Sequence, residues 1–533
     1  MRYNLLFLIL SVFPLLSCDK EEALSCHVQT NELDCTEIRL GEKVESPFLL
    51  SNMQRAVDSL SARSGLKSKI NLSPTHLYVR FLPADEVEYD QLVADTTLDF
   101  DPYPLDRKLS EGDHYHDPLL PADAITWQYS VVPIEYNFEK TNIPYEILDE
   151  LYILDEDLDR EDISVEKSQL RSSNIKPLSW KDVVNEALLQ TGNIGKSELR
   201  AKWIPSATIM AYDNLLGGYI PLQGVKVRIR YFAFLKAYHY TDANGNVTFG
   251  SKRTSVEYSI EWERDMWDIR YKGSQAYSNG PEQKSKWNLY INYSNQTRLH
   301  LSAIHRALYK YYYGNVCGLL RPDQSLKVLY NDNDVDKPNG STYDYVGVDL
   351  LRNTISSIKI YGLEVKGVYK LASGVLSTTL HELTHASHCL YVGLSRYTDT
   401  DELIKESFAV AGQWVLTKDE YKTLNPKTNK DYDNLLSFIE CQDWPYNQNN
   451  SRWERSIKYS PLIIDMIDEN NQKMQGCPID DNITGFSLYF IQRSMHDICS
   501  VGDFKNFIMN SYSKGVTKQD VEKYFSQFES YYR

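Results

Sequence analysis

Residues 376–388 constrain the fold of this chain more than any other segment, because their pattern requires a long buried helix. They read LSTTLHELTHASH, and residues 375–392 contain no glycine or proline, so one continuous helix is expected there. Side chains four residues apart lie on the same face of a helix. His381 and His385 can therefore direct their imidazoles at a single metal ion, as zinc-binding histidine pairs do.

Glu382 is the candidate general base beside these histidines. It follows His381 by one residue, about 100° around the helix, where its carboxylate can reach a metal-bound water without ligating the metal. The carboxylate takes a proton from that water, which then attacks a carbonyl group polarised by the metal. An HExxH pattern arises by chance about 0.01 times in a chain of this length and composition. We therefore predict a Zn²⁺ site on this helix.

A zinc site of this kind needs a third protein ligand, and two patterns place it differently. The metzincin pattern has a glycine three residues and a histidine six residues after the second ligand. His388 and Tyr391 stand at those places, so the metzincin pattern fails. The gluzincin pattern instead takes a Glu from a second helix that follows a short connection.

A second helix is expected at 401–416, after a stop at Gly393 and an N-cap at Thr398 or Thr400. It offers Glu402 and Glu406, four residues apart on one face. The run Glu406-Ser-Phe-Ala409 resembles the Glu-Gly-Phe-Ala of gluzincin aminopeptidases, and its distance from the HExxH histidines is close to that in thermolysin-like enzymes. This resemblance implies Glu406 as the third ligand and a gluzincin-type zinc metallopeptidase as the activity.

Two departures from the gluzincin pattern qualify what the resemblance implies. Thermolysin-like enzymes place an Asp four residues after the ligand Glu, where it orients a metal-bound His; here that residue is Val410, so another group must do this. The exopeptidase motif Gly-x-Met-Glu-Asn of the aminopeptidases is also missing upstream of the helix. That absence argues against aminopeptidase specificity.

Three further residues are assigned to the surroundings of the site. His388 lies one turn beyond His385 on the predicted helix, so it is expected to support the ligands or to be structural. The negative charge that develops in peptide hydrolysis needs a Tyr or His donor facing the metal. Tyr459 and His496, both in the C-terminal part, are the candidates.

The N-terminus reads as a targeting segment. A single Arg precedes an apolar run at 5–16 that is too short to span a bilayer permanently. The run ends in Leu-Leu-Ser-Cys18, which resembles the lipobox of bacterial lipoproteins and implies a signal peptide at 1–17 with Cys18 as lipid anchor. The acidic residues that follow resemble the export signal of Bacteroidetes lipoproteins. An outer-membrane lipoprotein exposed on the cell surface is expected, with a periplasm-facing one as the alternative.

The rest of the chain predicts a multidomain α+β protein. After a polar tether at 18–47, a mixed N-terminal α/β region at 48–200 includes helical spacing at 144–154 and 179–189. Period-two alternation at 225–230 and the turn Thr241-Asp-Ala-Asn-Gly-Asn predict a β-sandwich at 201–275. This segment resembles carboxypeptidase regulatory-like, transthyretin-type domains, which are usually accessory modules. A mainly helical, zincin-like domain is expected at 290–533.

The net charge of the chain limits the classes of partner that it can bind. Lys and Arg number 57 against 73 Asp and Glu, a net charge of −16, which argues against nucleic-acid binding. A peptide or protein substrate is expected, with membrane contact through the N-terminal lipid only.

Lipidation of Cys18 would leave seven cysteines, so at least one is unpaired. Export permits disulfides, and Cys26 with Cys35, or Cys477 with Cys499, are close enough in sequence to pair.

Two weaker patterns are compatible with further ion sites. His114 and His116 would share a face if they lay on a strand, although a polar turn before Asp117-Pro118 explains the same residues. The alternating Asp332, Asp334 and Asp336 resemble the start of a calcium loop. The glycine and the bidentate Glu of an EF-hand are missing, so a solvated acidic turn is expected.

Taken together, the sequence predicts a lipid-anchored, exported zinc metallopeptidase. The alternative is a non-catalytic surface lipoprotein that uses a zincin-like fold as a binding or adhesion module. A glycan-binding lipoprotein is a third class, suggested only by the abundance of aromatic residues, 12% of the chain.

Overall fold

Helices and β-sheets together build the part of the chain that the computed structural model describes, in agreement with the predicted α+β class. The described residues are 37–64, 70–110, 112–154, 179–195, 202–321, 326–332, 342–344, 357–363, 368–425, 446–447, 452–453, 460–469, 483–511 and 516–532. The predicted signal peptide, Cys18, most of the tether and Tyr459 lie outside these residues.

The α-helices of the described residues are α1 Leu50–Ser64, α2 Glu86–Ala94, α3 Trp180–Gln190, α4 Gln296–Tyr313, α5 Ala372–Val392, α6 Leu394–Asp399, α7 Glu402–Leu424, α8 Ile464–Ile467, α9 Leu488–Ser494, α10 Val501–Asn510 and α11 Lys518–Tyr532. Short 3₁₀ helices occupy Phe138–Lys140 and Met495–Asp497. Within these ranges, no helix combines the length and the apolar character that a membrane crossing requires.

The strands are β1 Leu40–Lys43, β2 His76–Phe81, β3 Phe100–Asp101, β4 Arg107–Leu109, β5 Gln128–Pro133, β6 Tyr145–Leu151, β7 Ser206–Asp213, β8 Gly218–Pro221, β9 Lys226–Tyr231, β10 Leu235–Tyr240, β11 Asn246–Thr248, β12 Val256–Glu261, β13 Trp267–Tyr271, β14 Ser274–Gln275, β15 Tyr277–Gln283, β16 Trp287–Ile291, β17 Leu326–Asn331, β18 Thr342–Asp344, β19 Ser357–Tyr361, β20 Tyr446–Asn447 and β21 Arg452–Trp453.

The N-terminal region combines an antiparallel sheet with a helix pair. The sheet has the strand order β3-β5-β2-β6, and α1 packs on α3 through residues that include Met53, Val57 and Val183. The helical spacing at 144–154 predicted a helix, and this prediction is wrong. These residues form the edge strand β6, paired with β2 along its length, because hydrogen bonding to a neighbouring strand overrides a local apolar pattern that both structures satisfy.

Two facing four-stranded sheets form the middle of the chain. One has the order β10-β9-β12-β15, and the other has the order β11-β7-β16 with β8 also paired to β7. Tyr258 on β12 packs against Trp287 on β16, with ring centroids 5.6 Å apart, so the two sheets share a core. Their strands continue to Ile291, past the predicted boundary at residue 275.

β13 and β14 leave these two sheets and join a third. β13 pairs in parallel with β17, within a five-stranded sheet of order β14-β13-β17-β19-β18. One buried apolar cluster runs from Ala207 on β7 to Phe528 on α11. The sheets of the middle region and the C-terminal helices therefore share a continuous core.

A buried ion network ties β7 to two C-terminal helices. The Asp213 carboxylate, completely buried at the end of β7, accepts hydrogen bonds from Arg306 Nη1 at 2.9 Å and from Tyr421 OH at 2.8 Å. Arg306 belongs to α4 and Tyr421 to α7. A buried charge is stable only when it is paired and hydrogen-bonded, so the three elements hold one another in place.

A second buried ion pair joins the N-terminal sheet to β9. The Arg228 guanidinium donates to Asp101 and to Tyr103 OH, and its Nε donates to Ser259 at 2.8 Å. Burial disfavours the Asp101 carboxylate, but the charges of Arg228 and Lys236 outweigh this and hold its pKa well below the usual range. The N-terminal region is thereby fixed to the two facing sheets.

Replacing Asp101→Asn is expected to destabilise the protein by about 3 kcal/mol, because it leaves the buried Arg228 charge with weaker compensation. Urea unfolding followed by circular dichroism measures the loss. Glu42→Gln is the matched control, since Glu42 pairs with Lys108 at the surface and should leave the unfolding midpoint unchanged. Equal midpoints for Asp101→Asn and the unmodified protein would contradict the assigned role.

Candidate metal centre

The predicted HExxH helix is α5, and almost its whole length is buried. Its N-cap, Leu371, makes no side-chain hydrogen bond, and the β7–β8 turn supplies one instead. The Asn214 side chain accepts from Ser373 N–H at 3.0 Å and donates to Ser373 Oγ at 2.8 Å. The helix ends at Gly393, whose φ of 80° suits a residue without a side chain, as predicted for this stop.

The second predicted helix is α7, which runs further than the expected 401–416. Its N-cap is Asp401, whose carboxylate accepts from Leu403 N–H at 2.9 Å. Neither threonine proposed for this cap serves it, because Thr398 and Thr400 donate their hydroxyls to carbonyls of the short helix α6. That prediction is therefore corrected: α6 occupies the connection, and the threonines belong to it.

α5 and α7 approach each other closely at a glycine. A Cβ atom on Gly412 would lie 2.3 Å from Oγ1 of Thr384, which stands within the HExxH segment. Only glycine fits there without displacing one helix from the other. The close packing carries the carboxylate of Glu406 on α7 up to the histidines on α5.

His381, His385 and Glu406 converge on one point. The two histidine Nε2 atoms lie 3.1 Å apart, and Glu406 Oε2 lies 3.2 Å from Nε2 of His381 and 3.4 Å from Nε2 of His385. A tetrahedral Zn²⁺ with bonds of about 2.0–2.1 Å separates its ligand atoms by about 3.3 Å. The three atoms therefore fit zinc, and no other group of this kind is found in the described parts of the chain.

Glu402, the other acid considered for this role, is not part of the group. Its carboxylate is half-exposed and pairs with Lys405 at 3.1 Å. It lies in the first turn of α7, one turn before Glu406, so the two acids have different neighbours.

Burial and hydrogen bonding act in opposite directions on the charges of this group. Burial disfavours the Glu406 carboxylate, but hydrogen bonds with His381 and His385 outweigh it and hold the pKa of Glu406 well below the usual range. Burial also opposes protonation of His381, and the hydrogen bond to Glu406 and the charge of Glu382 reverse this, so the His381 pKa is raised. The group is therefore poised to hold a positive charge, either a proton or a metal ion.

Each histidine of the group has a neutral partner on its other ring nitrogen. His381 Nδ1 lies 3.2 Å from Gln413 Oε1, and Gln413 Nε2 donates to Ser377 Oγ at 3.3 Å. His385 Nδ1 lies 3.0 Å from Tyr397 OH. When Nε2 of each imidazole is directed at a metal, the proton of the ring lies on Nδ1. The Nδ1–H groups then donate hydrogen bonds to Gln413 Oε1 and Tyr397 OH, which fixes the orientation of both rings.

Val410 stands where thermolysin-like enzymes have the Asp that orients a histidine, and in this chain Gln413 contacts His381 instead. This contact was not predicted from the sequence. Gln413 follows Glu406 by seven residues, two helical turns, and so returns to the same face of α7. Tyr397 was missed as well, because it lies on α6, a helix that the sequence did not indicate. The sequence signal that could have indicated the Gln413 contact is Gly412. A glycine inside a helix lowers its stability, so its presence indicates that a neighbouring element approaches closely, as Thr384 does.

Glu382 is buried, with 3% of its surface exposed. It lies next to His381 on α5, and its negative charge contributes to the raised pKa of that histidine. Glu382 is therefore a buried acid adjacent to the His-His-Glu group, in the sequence position that the HExxH pattern assigns to the general base.

His388 and His496 are not among the converging atoms. His388 is completely buried between the rings of Tyr397 and Phe408, at centroid distances of 5.2 and 5.3 Å, and burial lowers its pKa to about 3. It is a neutral packing residue of α5 between α6 and α7. His496 is exposed and lies against Tyr391, near the end of α5. Tyr459, the other candidate donor, is outside the described residues.

The weaker sequence patterns do not form metal sites in the described residues. His114 is buried beside Tyr271 with its pKa lowered to about 4 by burial, and His116 Nε2 contacts the carbonyl of Pro121. Asp332 accepts hydrogen bonds from Tyr271 and Thr297. Asp334 and Asp336, and at least one cysteine of each predicted pair, lie outside the described residues.

No family model, curated protein or solved structure matches this chain. The interpretation of the site therefore depends on its own residues.

Replacing Gln413→Ala is expected to lower the affinity for zinc about 10- to 100-fold, because the His381 ring loses the acceptor that orients it. Competition with a chromogenic chelator measures the affinity, and His381→Ala, expected to lose stoichiometric zinc, gives the lower limit. Gln492→Ala is the matched control. Gln492 is another buried glutamine that binds α5, through Ser387 at 2.6 Å, and its side-chain oxygen accepts from Leu320 N–H, so its partners are not the three converging side chains. Equal affinities for the two glutamine variants would contradict the role of Gln413.

Proposed function

We propose that this chain is a lipid-anchored, exported zinc metallopeptidase of gluzincin type that hydrolyses peptide bonds. The observation that carries the proposal is the convergence of His381, His385 and Glu406 within 3.4 Å of one another. Glu382, the only carboxylate of the HExxH segment, follows His381 on α5.

The proposed mechanism assigns a separate task to each side chain. Bound to the three ligands, Zn²⁺ supplies Lewis-acid chemistry that acidifies water and polarises a carbonyl group. Glu382 removes a proton from the attacking water and returns it to the nitrogen of the leaving amine. Gln413 and Tyr397 hold the two imidazoles in the orientation that presents Nε2. Because His381, His385 and Glu382 are buried and Glu406 is partly buried, the electrostatic interactions among them are weakly screened.

The proposal extends to the architecture and location of the chain. The helical part at 290–533 is the zincin-like catalytic domain, and the two facing sheets are a transthyretin-like β-sandwich. Cys18 carries the lipid that holds the protein at the outer membrane, on the cell surface or, as the alternative, facing the periplasm. The substrate is a peptide or protein, contact with the membrane is through the lipid only, and the net charge of −16 disfavours a nucleic-acid partner.

One observation favours the alternative, a non-catalytic surface lipoprotein that uses the zincin-like fold for binding or adhesion. His496, predicted to stabilise the developing charge, lies at the surface beside Tyr391. Tyr459 is then the remaining candidate donor, and a zinc site that lacked both donors would bind metal and ligand and leave peptide bonds intact.

Replacing Glu382→Gln separates the two functions. The variant should retain stoichiometric zinc and cleave a peptide library at least about 100-fold more slowly than the unmodified protein, because it lacks the base. Mass spectrometry of the digests and elemental analysis of the protein give the two readouts. Glu402→Gln is the matched control and should retain both zinc and activity. Zinc without cleavage in the unmodified protein would favour the binding module, and absence of zinc would contradict the metallopeptidase.

Replacing Cys18→Ala tests the anchor. The variant is expected to move from the membrane fraction to the soluble fraction, because one acylated cysteine provides the membrane affinity. Immunoblots of fractionated cells measure the distribution. Cys317→Ala, a change in the C-terminal part, should remain in the membrane fraction. An unchanged distribution for Cys18→Ala would show that the lipoprotein assignment is wrong.

A further inference from the structure

One outer face of the middle region carries no charged side chain at its strand positions. It belongs to the sheet of β7, β8, β11 and β16. Burial alternates along β7, β11 and β16, so every second residue faces outward, and the pairing of β8 with β7 places Tyr219 and Pro221 on the same side. These outward residues, here called the uncharged face, are Ser206, Thr208, Met210, Tyr212, Tyr219, Pro221, Asn246, Thr248, Asn288 and Tyr290. Protein surfaces normally mix charges of both signs, and 24% of this chain is charged.

The register places the aromatic side chains at one end of the uncharged face. Tyr212 pairs with Tyr219, and Met210 pairs with Tyr290. The ring of Tyr219 stands nearly perpendicular to those of Tyr212 and Tyr290, at centroid distances of 5.7 and 5.2 Å. Tyr290 is 53% exposed and Tyr219 is 42% exposed. Cross-strand packing would stabilise the sheet, but it does not require half of each ring to face water.

Amides and hydroxyls occupy the other end and the rim. Thr208 on β7 lies between Asn246 and Asn288 in the register, and its hydroxyl donates to Asn246 Oδ1 at 2.6 Å. The side chain of Asn292, just after β16, donates to Tyr219 OH at 3.0 Å. The face therefore offers apolar ring surface beside neutral hydrogen-bonding groups.

The dimensions of the face favour a narrow ligand over a protein. β7 has eight residues, about 27 Å in length. The sheet is three strands wide, about 14 Å, because β8 and β11 pair with different halves of the same edge of β7 and β16 pairs with the other edge. Their product, about 400 Å², is half of the roughly 800 Å² that each partner contributes to a stable protein interface. An elongated ligand of small cross-section matches this area.

We propose that the uncharged face binds a neutral oligosaccharide chain. A sugar ring presents C–H groups on its faces and hydroxyls around its edge, which complement the exposed tyrosine rings and the neighbouring amides and hydroxyls. The absence of charge from the face selects against anionic and cationic ligands. The inference is independent of the proposed peptidase activity, since none of its residues belongs to the candidate metal centre.

Affinity electrophoresis of the full chain tests the proposal. Gels containing amylopectin, galactomannan, xyloglucan or laminarin provide neutral probes, and polygalacturonate provides an anionic one. At least one neutral polysaccharide should retard the protein, and polygalacturonate should not. Tyr290→Ala should weaken that binding about 3- to 10-fold, and Tyr290→Phe should retain it, because the ring supplies the contact. Asn288→Asp should weaken binding through its charge without removing a ring.

Two control variants keep the test specific. Tyr145→Ala removes an equally exposed tyrosine from β6 (44%) and should bind as the unmodified protein does. Glu382→Gln should also bind normally, so loss of peptidase function and loss of glycan binding are distinguished. Absence of retardation by every neutral polysaccharide would overturn the proposal, as would Tyr290→Ala binding with unchanged affinity. A dimer in analytical ultracentrifugation that Tyr290→Ala dissociates would assign the face to a second copy of the chain.

Discussion

The close contact between α5 and α7 is the constraint on which the candidate metal centre depends. Two imidazoles and a carboxylate meet in a buried space, where each charged form is penalised unless another group compensates it. Only the absence of a side chain at Gly412 allows the helices to lie close enough beside Thr384. The same contact brings Gln413 to His381, so one glycine determines the positions of both Glu406 and Gln413.

The helix α5, its end at Gly393 and the pairing of His381 with His385 could be predicted from sequence, because they depend on local spacing along one helix. Glu406 could be selected only through a resemblance. Gln413 and Tyr397 could not be predicted, because their contacts depend on how α7 and α6 cross α5. β6 was mistaken for a helix for a related reason: its apolar spacing is compatible with either structure, and the neighbouring strand β2 decides between them.

The sheets of the middle region and the C-terminal helices are joined by buried hydrogen bonds and a shared apolar core. Asp213 at the end of β7 is held by Arg306 and Tyr421, and the β7–β8 turn caps α5 through Asn214. A period-two pattern identifies strands, but it does not reveal which sheet each strand joins. The predicted boundary at 275 was therefore placed within a run of strands that serve two different sheets.

The departure of β13 from the two facing sheets has a consequence for synthesis on the ribosome. When the chain has emerged as far as Ile291, all eight strands of the facing sheets are available. Trp267 and Ile269 on β13, both fully buried in the finished protein, still lack β17, which spans Leu326–Asn331. The edge of β13 that pairs with β17 therefore stays without its partner strand over a further 40 residues of translation, and an unpaired strand edge in a nascent chain is a site for pairing with another chain.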